Sequence, residues 1–326
     1  MRAYIIRRLL LIIPTFIGIS IITFAIIHIA PGNPAMLSIQ GGMLGKGASP
    51  ANIAEMQKVL GLDKPLYVQY FQWVGRLLRF DFGRSFKDHR KVIDKIMEAL
   101  PNTLLLNIIS FLLIYSISLP LGIWSAIKQN TVVDKGITSI LFVLYSLPVI
   151  WVALLLILFF YVKLDWLPVG GLQSLQASEY STFPWLLDRV KHIILPVTCF
   201  TYAGFALISR YVRSSMLEVI NQDYIRTARS KGLKEKKVIW RHGFSNALIP
   251  IVTLLGLELP GLLGGSIIIE QIFAWPGLGW LFFDALNARD YMTIMGLTVF
   301  TASLVLIGTL LADLLYAVVD PRIHYD

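Results

Sequence analysis

The chain has 326 residues, 56% of them hydrophobic and 15% charged, with a formal net charge of +9 and a mean hydropathy of +0.68. Soluble globular chains run to roughly 45–50% apolar and about 25% charged residues, so this balance excludes a disordered chain and argues against a soluble enzyme. Cys199 is the only cysteine, which excludes an intrachain disulfide scaffold; the composition is that of an integral membrane protein.

A hydrocarbon core about 30 Å thick takes about 20 apolar residues in a helix. The first such stretch runs from Leu9 to Ala30, uncharged, behind Arg7 and Arg8. A signal peptide competes for this reading, but its apolar region is about 7–15 residues, shorter than the one here, so a retained first helix is expected. Pro31-Gly32-Asn33-Pro34 stops it. The segment that follows is Gly-rich over residues 40–50. It then shows helical spacing at Ile53, Met56, Val59 and Leu60, and an amphipathic pattern over residues 67–80 with Tyr70, Phe71, Val74, Leu77 and Leu78 on one side. A third short helix is expected over 91–100, before Pro101. Further spans are expected between Glu98 and Lys128, between Lys135 and Lys163, from Ile193 past Arg210, from Asn246 to before Glu270, and over 291–319. Pro14, Pro120, Pro148, Pro196, Pro250 and Pro260 fall in or beside spans. Breakers are tolerated in a membrane bundle because neighbouring helices re-satisfy the freed backbone groups.

The expected fold class is therefore all-α: a polytopic membrane bundle of about six transmembrane helices. Residues 1–30 form the tail and first helix, 31–100 an outer helical segment, and 101–326 a five-helix core. Nine bases lie between Arg210 and Arg241; with Arg2, Arg7, Arg8, Lys128 and Lys135 on the same side, they place both termini in the cytoplasm. Residues 31–98 are also basic, but a loop of roughly 70 residues translocates largely regardless of charge. That segment reads as a helical cap on the bilayer surface or as a docking surface for an extracytoplasmic partner. Its position outside the cell argues against nucleic-acid binding.

Residues 214–246 are the most informative stretch. Leu217, Ile220, Tyr224 and Ala228 form one apolar stripe, and Gly232 can take the left-handed conformation that ends a helix. A second short helix is expected near Lys234, with Val238, Ile239 and Trp240 buried, and Asn246 suits the cap of the next span. Two short helices along the membrane surface can serve a partner packed beneath them, or can simply fix topology and bind anionic lipid. Spacing alone leaves both open.

Ile225-Arg226-Thr227-Ala228-Arg229-Ser230-Lys231-Gly232 resembles the coupling loop of ATP-binding-cassette (ABC) importer permeases of the dipeptide/oligopeptide/nickel family. Ala228 and Gly232 keep the general importer spacing, while Arg226 and Thr227 replace its acid and first alanine, as in the peptide-permease variant. Similar to the same family are Tyr4-Ile5-Ile6-Arg7-Arg8, Gly61-Leu62-Asp63-Lys64-Pro65, Asp81-Phe82-Gly83-Arg84-Ser85, Leu119-Pro120-Leu121-Gly122, Trp275-Pro276-Gly277-Leu278-Gly279, Arg289-Asp290-Tyr291 and Asp320-Pro321-Arg322-Ile323. The long outer segment looks like the first of the two permease subunits in such systems.

This resemblance implies a multi-pass subunit in the cytoplasmic (inner) membrane of a prokaryote. Its implied cargo is a di- or oligopeptide, moved by alternating access. Its implied partners are a second homologous permease, two ATP-binding subunits, an extracytoplasmic solute-binding protein and membrane lipid, with no nucleic acid. No G-x-x-x-x-G-K-[ST] phosphate loop occurs in the chain, so no cofactor is expected here; ATP and Mg would be held by the partner subunits, and the chain is not expected to be an enzyme. Tyr224, Arg226, Thr227, Ala228, Arg229, Ser230, Lys231 and Gly232 are the residues the resemblance assigns to coupling. Ionisable residues inside spans are functional candidates: Glu258, Glu270 and Asp313 read either as pore-lining or as hydrogen-bonded to neighbouring helices. His28, His89, His192, His242 and His324 are scattered, and no metal site is expected. A nickel or metal-chelate importer of the same family is the alternative cargo reading. A non-transporter subunit of a membrane complex, or a membrane hydrolase, lacks supporting motifs such as H-E-x-x-H and G-x-S-x-G.

Overall fold

A computed structural model describes residues 2–29 and 63–319. The helix expected around Ile53–Leu60, the Pro31–Pro34 stop, the Gly-rich stretch and the Asp320–Ile323 motif lie outside the described residues. Among the described residues the fold is helical, and the one β-bridge pairs Arg84 with Lys91. Four helices among the described residues are long and apolar enough to cross a membrane, and up to six spans result if each of two bent helix pairs crosses once.

Helix α1 (Arg2–Ile29) is followed by α2 (Leu66–Leu77) and α3 (Val92–Ile127). The amphipathic expectation for α2 is corrected in detail. Trp73 and Leu77 are buried with Tyr70 and Val74 against them, whereas Phe71 and Leu78 face outward. Ser20 Oγ and Tyr70 OH lie 2.8 Å apart, fastening α2 to α1. No separate helix covers 91–100: α3 is continuous through Pro101 and Pro120. Pro101 falls within three turns of the helix start, and the chain there stays helical because Val92, Ile96 and Ala99 are buried in the apolar cluster around Phe82 and Leu297.

The third span is bent by 98°. Helix α4 (Val132–Ser146) ends at Leu147, whose ψ of 130° is extended, and α5 (Val149–Leu156) starts after Pro148. The proline ring disfavours the helical region at the residue before it, which accounts for the break. A π-helical stretch, Ile157–Lys163, completes this pair.

Helix α6 (Thr182–Ile220) is the longest, and it carries Arg210 without interruption, as expected. It packs along α3 through two close approaches. A Cβ on Gly122 would lie 2.6 Å from Val212 Cβ, and one on Gly204 would lie 2.6 Å from Ile114 Cδ1. The register 114-to-204 and 122-to-212 advances in the same direction on both helices, so α3 and α6 run parallel. The bent pair between them must therefore return across the bundle.

Beyond α6 lie α7 (Asp223–Ser230), a short turn Glu235–Lys237, a π-helical stretch Val238–Phe244, and α8 (Ser245–Glu258). Asn246 does not cap α8. The helical path is already continuous from Glu235, and Asn246 Nδ2 donates instead to His242 O at 2.8 Å. Trp240 is exposed rather than buried, while Val238 and Ile239 are buried as expected. A 46° bend divides this path between Leu248 and Pro250. Helix α8 gives way to a 3₁₀ turn, Leu259–Leu263, then to α9 (Ile267–Ile272), α10 (Leu278–Asn287) and α11 (Tyr291–Val319). The fifth span, expected from Asn246 to before Glu270, is thus broken after Glu258.

Helices α1 and α11 are antiparallel: Arg8 Nη1 meets Asp313 Oδ2 at 3.0 Å at one end, while Phe24 and Ile27 share a cluster with Leu297 and Val299 at the other. The amino terminus of α1 and the carboxyl end of α11 therefore share one side of the bundle. A second cluster, around Tyr115, Ile123, Ile208, Val212, Met216 and Ile251, ties α3, α6 and α8 together. Ile21, Ile22, Ile26, Leu112, Phe142, Leu154 and Phe159 are exposed, as suits surfaces whose solvent is hydrocarbon.

Candidate functional site: the coupling segment and the buried acids

Helix α7 follows α6 after a break at Asn221 and Gln222, so the stripe expected through Leu217, Ile220, Tyr224 and Ala228 is split between two helices. The inward face of α7 is Ile225 and Ala228, packed on Val219, Leu233 and Val238. The outward face carries Tyr224, Arg226, Thr227, Arg229, Ser230 and Lys231. Gly232 has φ +72°, a backbone state that only glycine enters without strain, and it terminates α7 where the sequence places the stop. Arg229 Nη2 donates to Glu235 Oε1 at 2.8 Å across this turn, fixing α7 against the next element. Burial pushes the Tyr224 hydroxyl pKa up, opposed by a hydrogen bond with Asn246 of α8. Ser215 Oγ of α6 donates to Ala247 O of α8 at 3.0 Å.

The segment is therefore short and two-faced. Ile225 and Ala228 seat it on Val219, Leu233 and Val238, and Arg229 ties it to Glu235 across the turn. The Ser215–Ala247 bond joins α6 to α8, and the segment's opposite face is open. Ala228 belongs to the seat, not to the open face.

The three acids separate clearly. Glu270 is fully buried; it accepts from Thr103 Oγ1 of α3 at 3.1 Å and from Trp280 N of α10 at 2.9 Å. Ideal Cβ atoms at Gly265 and Gly277 would stand 2.6 and 2.5 Å from its carboxylate oxygens, so both glycines are required by close approach. A carboxylate at the amino-terminal turn of α10 meets orphan N–H groups and the positive end of the helix dipole. Asp313 pairs with Arg8 and links α1 to α11. Glu258 differs: Tyr115 OH donates to its Oε2 at 3.0 Å, and it lines a cavity of about 350 Å³ with Asn107 and Ser110.

Two further polar clusters were not singled out from the sequence. Asp134 of α4 accepts two bonds of 2.8 Å from Arg213 of α6, as well as Ser125 Oγ and Asn130 N. Asp290 is fully buried, accepting from Ser85 Oγ and Thr293 Oγ1, each at 2.5 Å, and from Phe86 N at 2.9 Å. Lys95 Nζ lies 2.9 Å from Asp88 Oδ2 and 3.9 Å from Asp290 Oδ2. The available signals were a lone acid at the start of a span and the Arg289-Asp290-Tyr291 motif.

Comparison with known proteins bears on the whole chain. Residues 118–325 match the family model described as "Binding-protein-dependent transport system inner membrane component", and residues 1–107 match the corresponding amino-terminal model. The chain is 46% identical over 326 residues to the oligopeptide transport system permease protein AppB of Bacillus subtilis, covering 100% of both. It is 38% identical over 342 residues to the dipeptide transport system permease protein DppB of Escherichia coli K12, covering 100% of this chain and 99% of that one. A chain of the MetNI methionine ABC transporter in an inward-facing conformation superposes with a TM-score of 0.54 at 18% identity. The match spans 69% of this chain and 96% of that one, a likeness of fold. With the fold, the two family models and the full-length relatives in agreement, this chain belongs to the family of inner membrane components of binding-protein-dependent transport systems.

Proposed function

We propose that this chain is a permease subunit of an ABC importer that carries di- or oligopeptides across the cytoplasmic membrane of a prokaryote. In this reading it works beside a second homologous permease, two ATP-binding subunits and an extracytoplasmic solute-binding protein. The observation that carries the reading is the unbroken similarity, over all 326 residues, to a permease named for oligopeptide transport.

Energy reaches the chain mechanically. ATP and Mg are held by the ATP-binding subunits, one of which receives the open face of α7: Tyr224, Arg226, Thr227, Arg229, Ser230 and Lys231. When those subunits close, α7 moves as a unit, because Ile225 and Ala228 are seated on Val219 and Val238. The displacement passes to α6 through the packing on Val219 and toward α8 through Val238 and the Tyr224–Asn246 bond, and the Ser215–Ala247 bond holds α6 and α8 to each other. Tilting α8 against α3 switches access to the space beside Glu258, which is what alternating access requires.

The test is uptake by proteoliposomes holding the complete complex and its binding protein. Labelled di-, tri- and pentapeptides are expected to accumulate only with ATP inside. Accumulation of a nickel chelate and of no peptide would overturn the cargo assignment; accumulation without ATP would overturn the mechanism.

A further inference from the structure

We propose that the cavity beside the break after α8 is a subsite for the primary ammonium group of the passing peptide, with Glu258 as its counter-charge. The inference rests on the peptide-importer reading and adds to it a specific residue and a specific chemical group.

An α-helix abandoned inside a membrane-spanning path leaves backbone groups without partners, and such breaks are tolerated where they line a cavity or are buried in protein. Here the α-helix ends at Glu258, turns as a 3₁₀ segment over Leu259–Leu263, and is extended at Gly264. Asn107 Nδ2 of α3 donates to Leu262 O and Gly264 O, both at 2.7 Å. The break is therefore held open by a dedicated side chain. Gly261, Gly264 and Gly265 line the resulting cavity of about 350 Å³.

The cavity is chemically one-sided. Its lining among the described residues contains one ionisable group, Glu258, and no Lys or Arg. Tyr115 OH bonds one of the two carboxylate oxygens, Oε2. Ser110 Oγ lies in the same wall, buried and without a hydrogen-bond partner, although buried hydroxyls are nearly always paired. The carboxyl end of α8 adds the negative pole of a helix dipole. A carboxylate, an unpaired hydroxyl oxygen and a helix carboxyl end all favour a cation that donates hydrogen bonds, and a primary ammonium has three donors. Unblocked peptides carry this group whatever their side chains, those beginning with proline excepted, so one such subsite suits a varied cargo. The single carboxylate, already sharing charge with Tyr115, keeps the hold weak enough for release.

The experiment uses the complete transporter in proteoliposomes, with a photoreactive benzoylphenylalanine replacing Leu262 and a radiolabelled tripeptide as probe. Uptake of the same tripeptide by the complex without the photoreactive residue serves as a parallel control. Labelling of the chain is expected to be suppressed by excess unlabelled tripeptide, and at least tenfold less effectively by its N-acetyl form. Glu258→Gln is expected to lower labelling at least tenfold, and Ser110→Ala to lower it several-fold. Equal competition by the acetylated peptide, undiminished labelling in Glu258→Gln, or no labelling despite uptake would each overturn the subsite. The competition arm uses the native Glu258, so it decides the matter even if Glu258→Gln fails to assemble. Absence of uptake in the control would instead overturn the peptide-importer reading itself.

Discussion

Removing the Glu270 carboxylate is expected to unfasten three helices at once. Its oxygens accept from Thr103 Oγ1 at 3.1 Å and from Trp280 N at 2.9 Å, and Thr103 Oγ1 in turn accepts from Leu278 N at 2.8 Å. Glu270→Ala leaves two buried donors without an acceptor, each costing about 1–3 kcal/mol, and opens a void; the expected loss is about 3–5 kcal/mol. Glu270→Gln keeps the volume and one acceptor oxygen but turns an NH₂ toward a donor, for a loss of about 1–3 kcal/mol. The assay is reversible unfolding in mixed detergent micelles, followed by tryptophan fluorescence, since Trp275 and Trp280 flank the site. The order wild type, Gln, Ala is expected. An Ala variant within about 0.5 kcal/mol of wild type, the range of an inconsequential surface change, would refute the clamp.

Three other outcomes follow from named contacts. Asp134→Asn and Arg213→Met should each destabilise by about 3 kcal/mol, since each leaves a mostly buried charge or dipole unpaired. The double variant should lose less than the two losses added together, and strict additivity in the cycle would contradict the pairing. Gly232→Ala has open space for its Cβ but keeps φ +72°, a strain of about 1–2 kcal/mol. It should speed tryptic cleavage at Lys231 and Lys234, and unchanged cleavage would deny the strained turn. Burial opposes ionisation of Asp88, but hydrogen bonds from Lys95, Ser85 and Arg90 hold its pKa below the ordinary carboxylate value. Its contribution to stability is therefore present above that ordinary value and lost as pH falls through the lowered one. Asp88→Asn should flatten the acid limb of a stability–pH curve; an unaltered limb would contradict the assignment.

Uncharged runs of apolar residues made the spans legible, because the length of a membrane-crossing helix is set by the bilayer. The stop at Gly232 was legible too, since glycine enters the left-handed region at the least cost. Breaks inside spans were harder. The span bends by 98° at Pro148, behind an extended Leu147, while Pro101, Pro120 and Pro196 sit within continuous helices, so a proline marks where a break can fall without deciding that it does. In α2, Phe71 and Leu78 leave the face expected for them and Trp73, not part of the expected stripe, is buried instead, because α1 decides which side is covered. Of the acids, Glu270 and Asp313 bind neighbouring helices, and their partners Thr103 and Arg8 are distant in sequence, Thr103 by 167 residues. The roles of Asp134 and Asp290 depend on Arg213 and Ser85, 79 and 205 residues away: an ion pair or a buried carboxylate is defined by the group opposite, which one segment of sequence does not display. Ala228 sits within the coupling motif yet faces inward, a distinction that follows from the break at Asn221 shifting the helical phase.

The central claim is that the open face of α7 is gripped by an ATP-binding subunit. Single cysteines at Arg226, Thr227, Ser230 and, as a control, Ala228, introduced in a Cys199→Ser background, test it by disulfide crosslinking to cysteines in the groove of that subunit within the assembled complex. The account predicts crosslinks from positions 226, 227 and 230 whose yield changes on ATP binding, and none from 228. Labelling of position 227 by a membrane-impermeant thiol reagent applied outside intact cells would contradict it.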